Sequence, residues 1–260
     1  MNISILLSEL RATVTAASKD YVGSITLATK ICKSLGLYDR QKVHVRNLRT
    51  GHELWTYVIC ADAPIPVSTH VPSQPLPSTQ PIVCLNGAAA HYVEVGDPIC
   101  VSAFAYVPQA CCPLPVTRLD LIHTRHALQR TTIPATAQVE MAVGKVHRPR
   151  ITHTQLTDTT PPTVAIDQAW AEDAGLVDGQ EVHFVNVNSG RRDIVALHLL
   201  KPGCKECQVW LPRQHGDSER SHQVGDVVIL MGYTLTPHPS TSTHASIPQM
   251  RICFPFEQPE

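Results

Sequence analysis

The sequence predicts a mainly β protein built as two tandem domains, and three observations support this. Short runs rich in β-branched and aromatic residues, such as Lys42-Val43-His44-Val45 and Leu54 to Cys60, recur between turns bearing Gly, Pro or Asn. A length of 260 residues suits two domains better than one. The third is an internal echo at one fixed offset. Gly36-Leu37-Tyr38-Asp39-Arg40-Gln41-Lys42-Val43-His44 returns as Gly175-Leu176-Val177-Asp178-Gly179-Gln180-Glu181-Val182-His183, and Asn47 and Gly51 return as Asn186 and Gly190. Val95-Gly96-Asp97 likewise recurs as Val224-Gly225-Asp226. A repeat that spans a whole hairpin is most simply a duplicated domain.

In the first copy, strands are expected over Leu10–Thr15 and Tyr21–Leu27, then a short helix from Ala28 to Leu35 stopped by Gly36. A hairpin follows, Lys42–Val45 and Leu54–Cys60, turned by Arg49-Thr50-Gly51. Residues 62–80 are rich in Pro, Ser and Thr and too polar to bury a core, so an exposed insertion is expected. The copy closes with Pro81–Leu85, a small-residue helix start at Gly87 and a strand over Ile99–Tyr106. The domains expected are 1–107, a linker at 108–138 with a helical segment over Leu119–Leu128, a second barrel at 139–236 and a mobile tail at 237–260.

Composition narrows the function. Hydrophobic residues make up 43% of the chain and the formal net charge is −1, with no long run of one sign. Nothing there favours nucleic acid or an anionic membrane surface, and a small-molecule partner is the expectation. No apolar run is long enough to span a bilayer and no leader pattern opens the chain, which points to a soluble cytoplasmic protein. Nine scattered cysteines suit a reducing compartment. The pair Cys204 and Cys207 has ligand spacing but no matching second pair, so no metal is expected.

One dipeptide carries chemistry. In Tyr21-Val22-Gly23-Ser24-Ile25 a serine directly follows glycine, and its hydroxyl can attack the glycine carbonyl because glycine tolerates the strained backbone required. Elimination from the resulting ester, then loss of ammonia, converts the serine into a pyruvoyl group, a built-in carbonyl able to condense with an amine. Alone, Gly-Ser is a weak signal, and far more often the mark of an ordinary turn or bulge. Arg11-Ala12-Thr13-Val14-Thr15, Asp20 to Thr26, Thr56-Tyr57-Val58-Ile59, Asn86-Gly87-Ala88-Ala89-Ala90 and Val95-Gly96-Asp97 together resemble the pyruvoyl-dependent aspartate 1-decarboxylase family in order and spacing.

That resemblance implies two tandem double-psi β-barrels, self-cleavage of a zymogen between Gly23 and Ser24, a pyruvoyl cofactor formed from Ser24, and decarboxylation of L-aspartate to β-alanine. It casts Tyr57 as proton donor, Thr56 and Asn86 as aids to cleavage, and Gly87 and Ala88 as substrate-binding. Where the first copy has Tyr21 to Ser24 the second has Asp158 to Thr163, with two prolines and no Gly-Ser; it has Val195 and Ala196 for Thr56 and Tyr57, and Pro212 to Gly216 for the Asn-Gly-Ala segment. It does keep Gly144-Lys145-Val146-His147-Arg148, similar to the family's opening pattern, and Arg192 at the family's substrate-binding arginine. The first copy has Ser8, Leu10 and Glu53 in place of Lys145, His147 and Arg192. Each copy thus lacks what the other retains.

The family's sites lie between subunits. The expectation is therefore that Ser24, Thr56, Tyr57, Asn86, Gly87 and Ala88 face Lys145, His147 and Arg192 across an interface, in a homodimer of four barrels with two competent sites. Two alternatives stand beside it: another reaction in specialised metabolism, or an uncleaved barrel that only binds.

Overall fold

In the computed structural model, residues 1–19, 23–62, 82–123, 125–127, 133–157, 162–212, 222–241 and 247–255 are described. The chain divides into two compact units, Met1–Met141 with Thr234–Pro248, and Ala142–Tyr233 with Gln249–Glu260. The first unit contains β1 (Asn2–Thr13), β2 (Ala16–Ser18), β3 (Ser24–Leu27), α1 (Thr29–Leu35), β4 (Lys42–Asn47), β5 (Glu53–Cys60), β6 (Val83–Asn86), a 3-10 turn at Gly87–Tyr92, β7 (Pro98–Pro108), β8 (Thr117–Asp120) and β9 (Arg125–Ala127). β10 (Gln138–Arg150) begins in the first unit and continues into the second. There follow β11 (His153–Thr157), β12 (Thr163–Asp167), α2 (Gln168–Ala174), β13 (Glu181–Asn186), β14 (Arg192–Leu200), β15 (Cys207–Pro212), β16 (Val227–Pro237) and β17 (Arg251–Cys253).

Both units use one wiring. In the first, β2 runs parallel to β6 and β3 parallel to β5, while β3 is antiparallel to β6. In the second, β11 is parallel to β15 and β12 to β14, while β12 is antiparallel to β15. These crossed parallel pairs are the double-psi arrangement. Each has its own core, Leu10, Ile25, Leu27, Val43, Val45, Leu85 and Ile99 among the fully enclosed residues of one, and Val146, Val164, Ile166, Phe184 and Leu197 of the other. No helix among the described residues is long and apolar enough to cross a membrane.

The echo in the sequence is an echo in hydrogen bonds. Asn47 Oδ1 accepts from the N–H groups of Arg49 and Thr50, and Asn186 Oδ1 from those of Asn188 and Ser189, so each asparagine side chain shapes its hairpin turn. Their Nδ2 atoms donate to Asp97 and Asp226 at 2.6 Å, fastening turn to strand. Hydrogen bonding from Arg49 holds the Asp97 carboxyl down to about 2. Thr15 and Thr152 bridge to the backbone of Val83 and Cys207 in the same way. Gly36 and Gly175 end the two helices with φ of 66° and 68°, a left-handed cap that glycine adopts without Cβ strain.

Three expectations change. The stretch 108–138 is more than a linker: β8 lies parallel to β1, and Thr117 and Leu119 are buried while Arg118 points outward. That alternation has period two, and the described residues of the segment Leu119–Leu128, read as helical, are strand and turn. Nor is 237–260 simply a tail, because β17 pairs with Gly144 to Val146 of β10 and buries Cys253, and His238 is buried. Backbone pairing of so short a strand leaves no mark on composition. Finally, the first unit takes up Thr234–Pro248, so the units are not two unbroken stretches of chain. The Pro/Ser/Thr-rich insertion, from residue 63 onward, falls outside the described residues.

Candidate active site

In the first unit the residues singled out around Gly-Ser converge. Antiparallel pairing of β3 with β6 sets Ser24 directly opposite Asn86. Asn86 Nδ2 donates to Ser24 Oγ at 3.0 Å, and both residues are buried, at 0% and 4% exposure. Parallel pairing of β3 with β5 matches Ile25 to Val58, which brings Thr56 and Tyr57, two and one residues further back, to the level of Gly23 and Ser24. Tyr57 and Thr56 are each 1% exposed. Thr56 Oγ1 is buried with no hydrogen-bond partner among the described residues.

Gly87 (φ 58°) turns the chain out of β6, and Gly87 and Ala88 are buried at the start of the 3-10 turn. A Cβ on Gly23 would stand 3.5 Å from Asn86 O and 3.6 Å from Ala88 N, which places the Gly23 backbone beside this turn. Space alone does not demand glycine there. Tyr21 and Val22 lie outside the described residues.

The second unit gathers the cationic set. Lys145 and His147 alternate along β10, and Arg192 opens β14. Lys145 is fully buried; loss of hydration, with repulsion from the neighbouring Arg192 charge, lowers its pKa to about 7. His147 is pushed down to about 3 by burial and by Lys145 and Arg148, so its imidazole is neutral at physiological pH. Its ring meets Phe254 edge-on at 5.3 Å, and its Nδ1 is buried without a hydrogen-bond partner among the described residues. Arg148 takes φ 63°, a left-handed conformation costing an L-residue about 1–2 kcal/mol. Gly144 is dictated by packing, since a Cβ there would collide with Ala174 O and come within 2.6 Å of Leu176 Cδ2.

Register tests the matching of one copy to the other. Thr56 and Tyr57 pair with Val43 and Lys42, and Val195 and Ala196 pair with Val182 and Glu181, so these positions correspond. Glu53, paired with Arg46, corresponds in the same way to Arg192, paired with Val185. The counterpart of Asn86 needs correction. Thr163, at the place of Ser24, stands opposite Trp210 rather than any of Pro212 to Gly216, so an indole replaces the amide and donates to Gln155 Oε1 at 3.2 Å. Residues 213–216 fall outside the described residues.

Several residues around these sets were not foreseen. Asn86 Nδ2 also donates to Thr26 Oγ1 at 2.9 Å, and Cys84 Sγ donates to Asn86 Oδ1 at 3.2 Å. Beside Arg192, Asp193 Oδ2 lies 2.7 Å from His222 Nε2. His222 Nδ1 faces Asn186 Nδ2 at 3.2 Å, and Asn186 Oδ1 is committed to two backbone N–H groups, so Nδ1 accepts and Nε2–H is donated to Asp193. Burial opposes ionisation of Asp193, but bonds from His222 and Arg191 outweigh it and leave the pKa lowered. The first copy has Leu54 and Val93 at these two places. Period-two spacing from Ser24 marks Thr26, but only register reveals Cys84 and His222 as neighbours.

The Cys204-x-x-Cys207 spacing has a structural explanation. Asp167 accepts from the N–H groups of Ala169, Gly203 and Lys205 and from the Cys204 thiol, while Cys207 is enclosed in the core with its pKa raised to about 12 by burial.

The first-unit residues fit a pyruvoyl group made from Ser24: a buried serine after glycine, an amide donor on its Oγ, and a buried threonine hydroxyl with capacity to spare. Comparison with known proteins agrees with the fold. The sequence matches the aspartate decarboxylase family twice, over residues 1–114 and 137–250. Among similar proteins, the aspartate 1-decarboxylase of Caldicellulosiruptor bescii is 39% identical over 105 residues, covering 40% of this chain and 70% of that protein. The aspartate 1-decarboxylase of Campylobacter jejuni is 36% identical over 106 residues, 40% of this chain and 71% of its own length. That of Ruminiclostridium cellulolyticum is 37% identical with the same coverage. Two matched segments, two barrels of identical wiring and a Gly-Ser step held by Asn86 lead to one conclusion: the chain belongs to the aspartate decarboxylase family of carboxy-lyases and carries its domain in duplicate.

Proposed function

We propose that this protein is a self-processing, pyruvoyl-dependent decarboxylase that converts L-aspartate to β-alanine and carbon dioxide. The observation that carries the reading is Ser24: buried, preceded by Gly23 and hydrogen-bonded at Oγ by Asn86. In processing, Ser24 Oγ forms a bond to the Gly23 carbonyl carbon as the Gly23–Ser24 peptide C–N bond breaks, and the hydroxyl proton passes to the Ser24 nitrogen. Thr56 Oγ1, buried with donor capacity to spare, stabilises the negative charge that builds on the Gly23 oxygen. Loss of the Ser24 α-proton then expels Oγ with Gly23 as a carboxylate, and water releases ammonia.

The pyruvoyl group supplies a carbonyl that condenses with the substrate amine and draws electrons from the α-carbon as carbon dioxide departs. The chain's own residues do the rest. Arg192 receives a substrate carboxylate through two parallel hydrogen bonds, geometry a lysine cannot imitate, and Lys145 adds attraction when protonated. His147, neutral, offers a hydrogen bond without competing for charge. Gly87 turns the chain so that Ala88 presents its backbone N–H beside Gly23. Tyr57 returns a proton to the α-carbon.

Assembly is part of the same proposal. The processing set and the cationic set belong to different units. A homodimer, four barrels in all, would combine two of each set into two sites. Intact mass of purified protein tests processing: fragments 1–23 and 24–260 are expected, with a carbonyl-reactive residue 24 and carbon dioxide released from aspartate. An active chain that remains whole would overturn the reading.

A further inference from the structure

We propose that Thr26 and Cys84 are positioning residues for self-processing, holding the Asn86 amide with its NH2 group on Ser24 Oγ; this rests on the processing reading above. The pairing of β3 with β6 sets Ser24 opposite Asn86 and Thr26 opposite Cys84. Because side chains alternate along a strand, all four stand on one face of the sheet. All are enclosed, at 0% and 1% exposure for Ser24 and Thr26 and 6% and 4% for Cys84 and Asn86.

Asn86 spends both its donors here, at 3.0 Å to Ser24 Oγ and 2.9 Å to Thr26 Oγ1, and Oδ1 accepts from Cys84 Sγ at 3.2 Å. Serine and threonine hydroxyls donate as readily as they accept, so those two contacts alone would also tolerate a reversed amide, with Oδ1 toward both hydroxyls. The thiol breaks the tie. The S–H group donates to Oδ1 at 3.2 Å, a closer acceptor than Leu85 O at 3.8 Å, whereas a reversed amide would offer its NH2 to a sulfur that accepts only weakly. Burial pushes the Cys84 thiol up to about 11, so it remains a donor at neutral pH. Thr26 then fixes the second N–H, leaving the first aimed at Ser24.

The orientation matters for the second bond broken. When the Ser24 Cβ–Oγ bond cleaves, its electron pair goes to Oγ, which leaves within the Gly23 carboxylate, while the Ser24 α-proton goes to water. An N–H on Oγ stabilises that developing charge; an amide oxygen would oppose it. In the second copy the same four places hold Thr163, Ala165, Gln208 and Trp210, so an indole stands where the Asn86 amide would be and a glutamine where the Cys84 thiol would be. The bracket is present only where Gly-Ser is present.

The test follows disappearance of the full-length wild-type precursor by intact mass at fixed temperature, beside Thr26→Val, Thr26→Ser, Cys84→Val and Cys84→Ser. Each valine variant removes the hydrogen-bonding group, Thr26→Val at nearly constant volume and Cys84→Val with one added branch, and each should slow processing about tenfold. The serine variants should process within about twofold of wild type, a rescue that mere space filling would not give. Wild-type cleavage with both valine variants equally fast would overturn the inference while leaving the function standing. A wild-type chain that never cleaves would overturn both. If the valine variants fail to fold, the two serine variants decide: slow processing in both, at wild-type thermal stability, counts against the bracket.

Discussion

Replacing Lys145 with methionine should make this protein more stable and, under the proposed function, weaken its hold on a carboxylate substrate. The ammonium is fully enclosed and ionises near 7 instead of 10.5, because burial strips its hydration and Arg192 adds a like charge. Unfolding restores the ordinary value, and each decade between the two is worth about 1.4 kcal/mol, so at pH 7 the fold bears a penalty of up to about 4 kcal/mol. The folded pKa is the lower one, so the unfolded chain binds the extra proton. The penalty is therefore full below about pH 7, relaxes as pH rises through the interval and is gone above about 10.5. Methionine has similar length and no charge, and it relieves Arg192; the groups that now contact the ammonium lose a partner and return part of the gain. A net increase of roughly 2–4 kcal/mol in unfolding free energy at pH 7 is expected. Urea titrations of both proteins at pH 7 and pH 10 provide the assay, and the gap should shrink at the higher pH. A variant no more stable than wild type at pH 7, or a gap of equal size at both pH values, would refute the reasoning.

Ser24→Ala should leave the chain whole and inactive, whereas Arg192→Ala should process at the wild-type rate and lose about 10- to 100-fold in kcat/KM for aspartate, the worth of one charge-assisted bidentate contact. Equal loss of processing in both, read by intact mass, would contradict the division of labour. The kcat/KM of the mature enzyme should fall above about pH 7, as Lys145 loses the proton that attracts a carboxylate, and the fall should flatten in Lys145→Met. Asp193→Leu and His222→Val should each destabilise by about 1–3 kcal/mol in urea unfolding, because the first strands the enclosed His222 Nε2–H and the second takes a hydrogen bond from the half-buried Asp193 carboxylate. The double variant reproduces the first copy's Leu54 and Val93 and should come back to within about 1 kcal/mol of wild type; a cost equal to the sum of the singles would show that the pair is not coupled.

Much of the fold was legible because it depends on local signals repeated twice. Gly36 and Gly175 stop helices, Asn47 and Asn186 build turns, and Gly51 and Gly190 close them, each through backbone within a few residues. The second strand of each hairpin follows from alternation. β8 and β17 were missed for the complementary reason: each is short, and what makes it a strand is a distant edge, Ser8 to Arg11 for one and Gly144 to Val146 for the other. The Asn86 counterpart was misplaced because β15 departs from the constant spacing, and only its pairing with β12 identifies Trp210.

The sequence by itself determined the duplication, the Gly23-Ser24 step and the uneven retention of residues, since these are matters of identity and spacing along one chain. Tertiary structure alone decided which groups meet: Asn86 with Ser24 across 62 positions, Cys84 and Thr26 around the same amide, and Asp193 with His222. It also set Lys145 near 7, because hydration and neighbouring charge are properties of an enclosed volume and not of the order of residues.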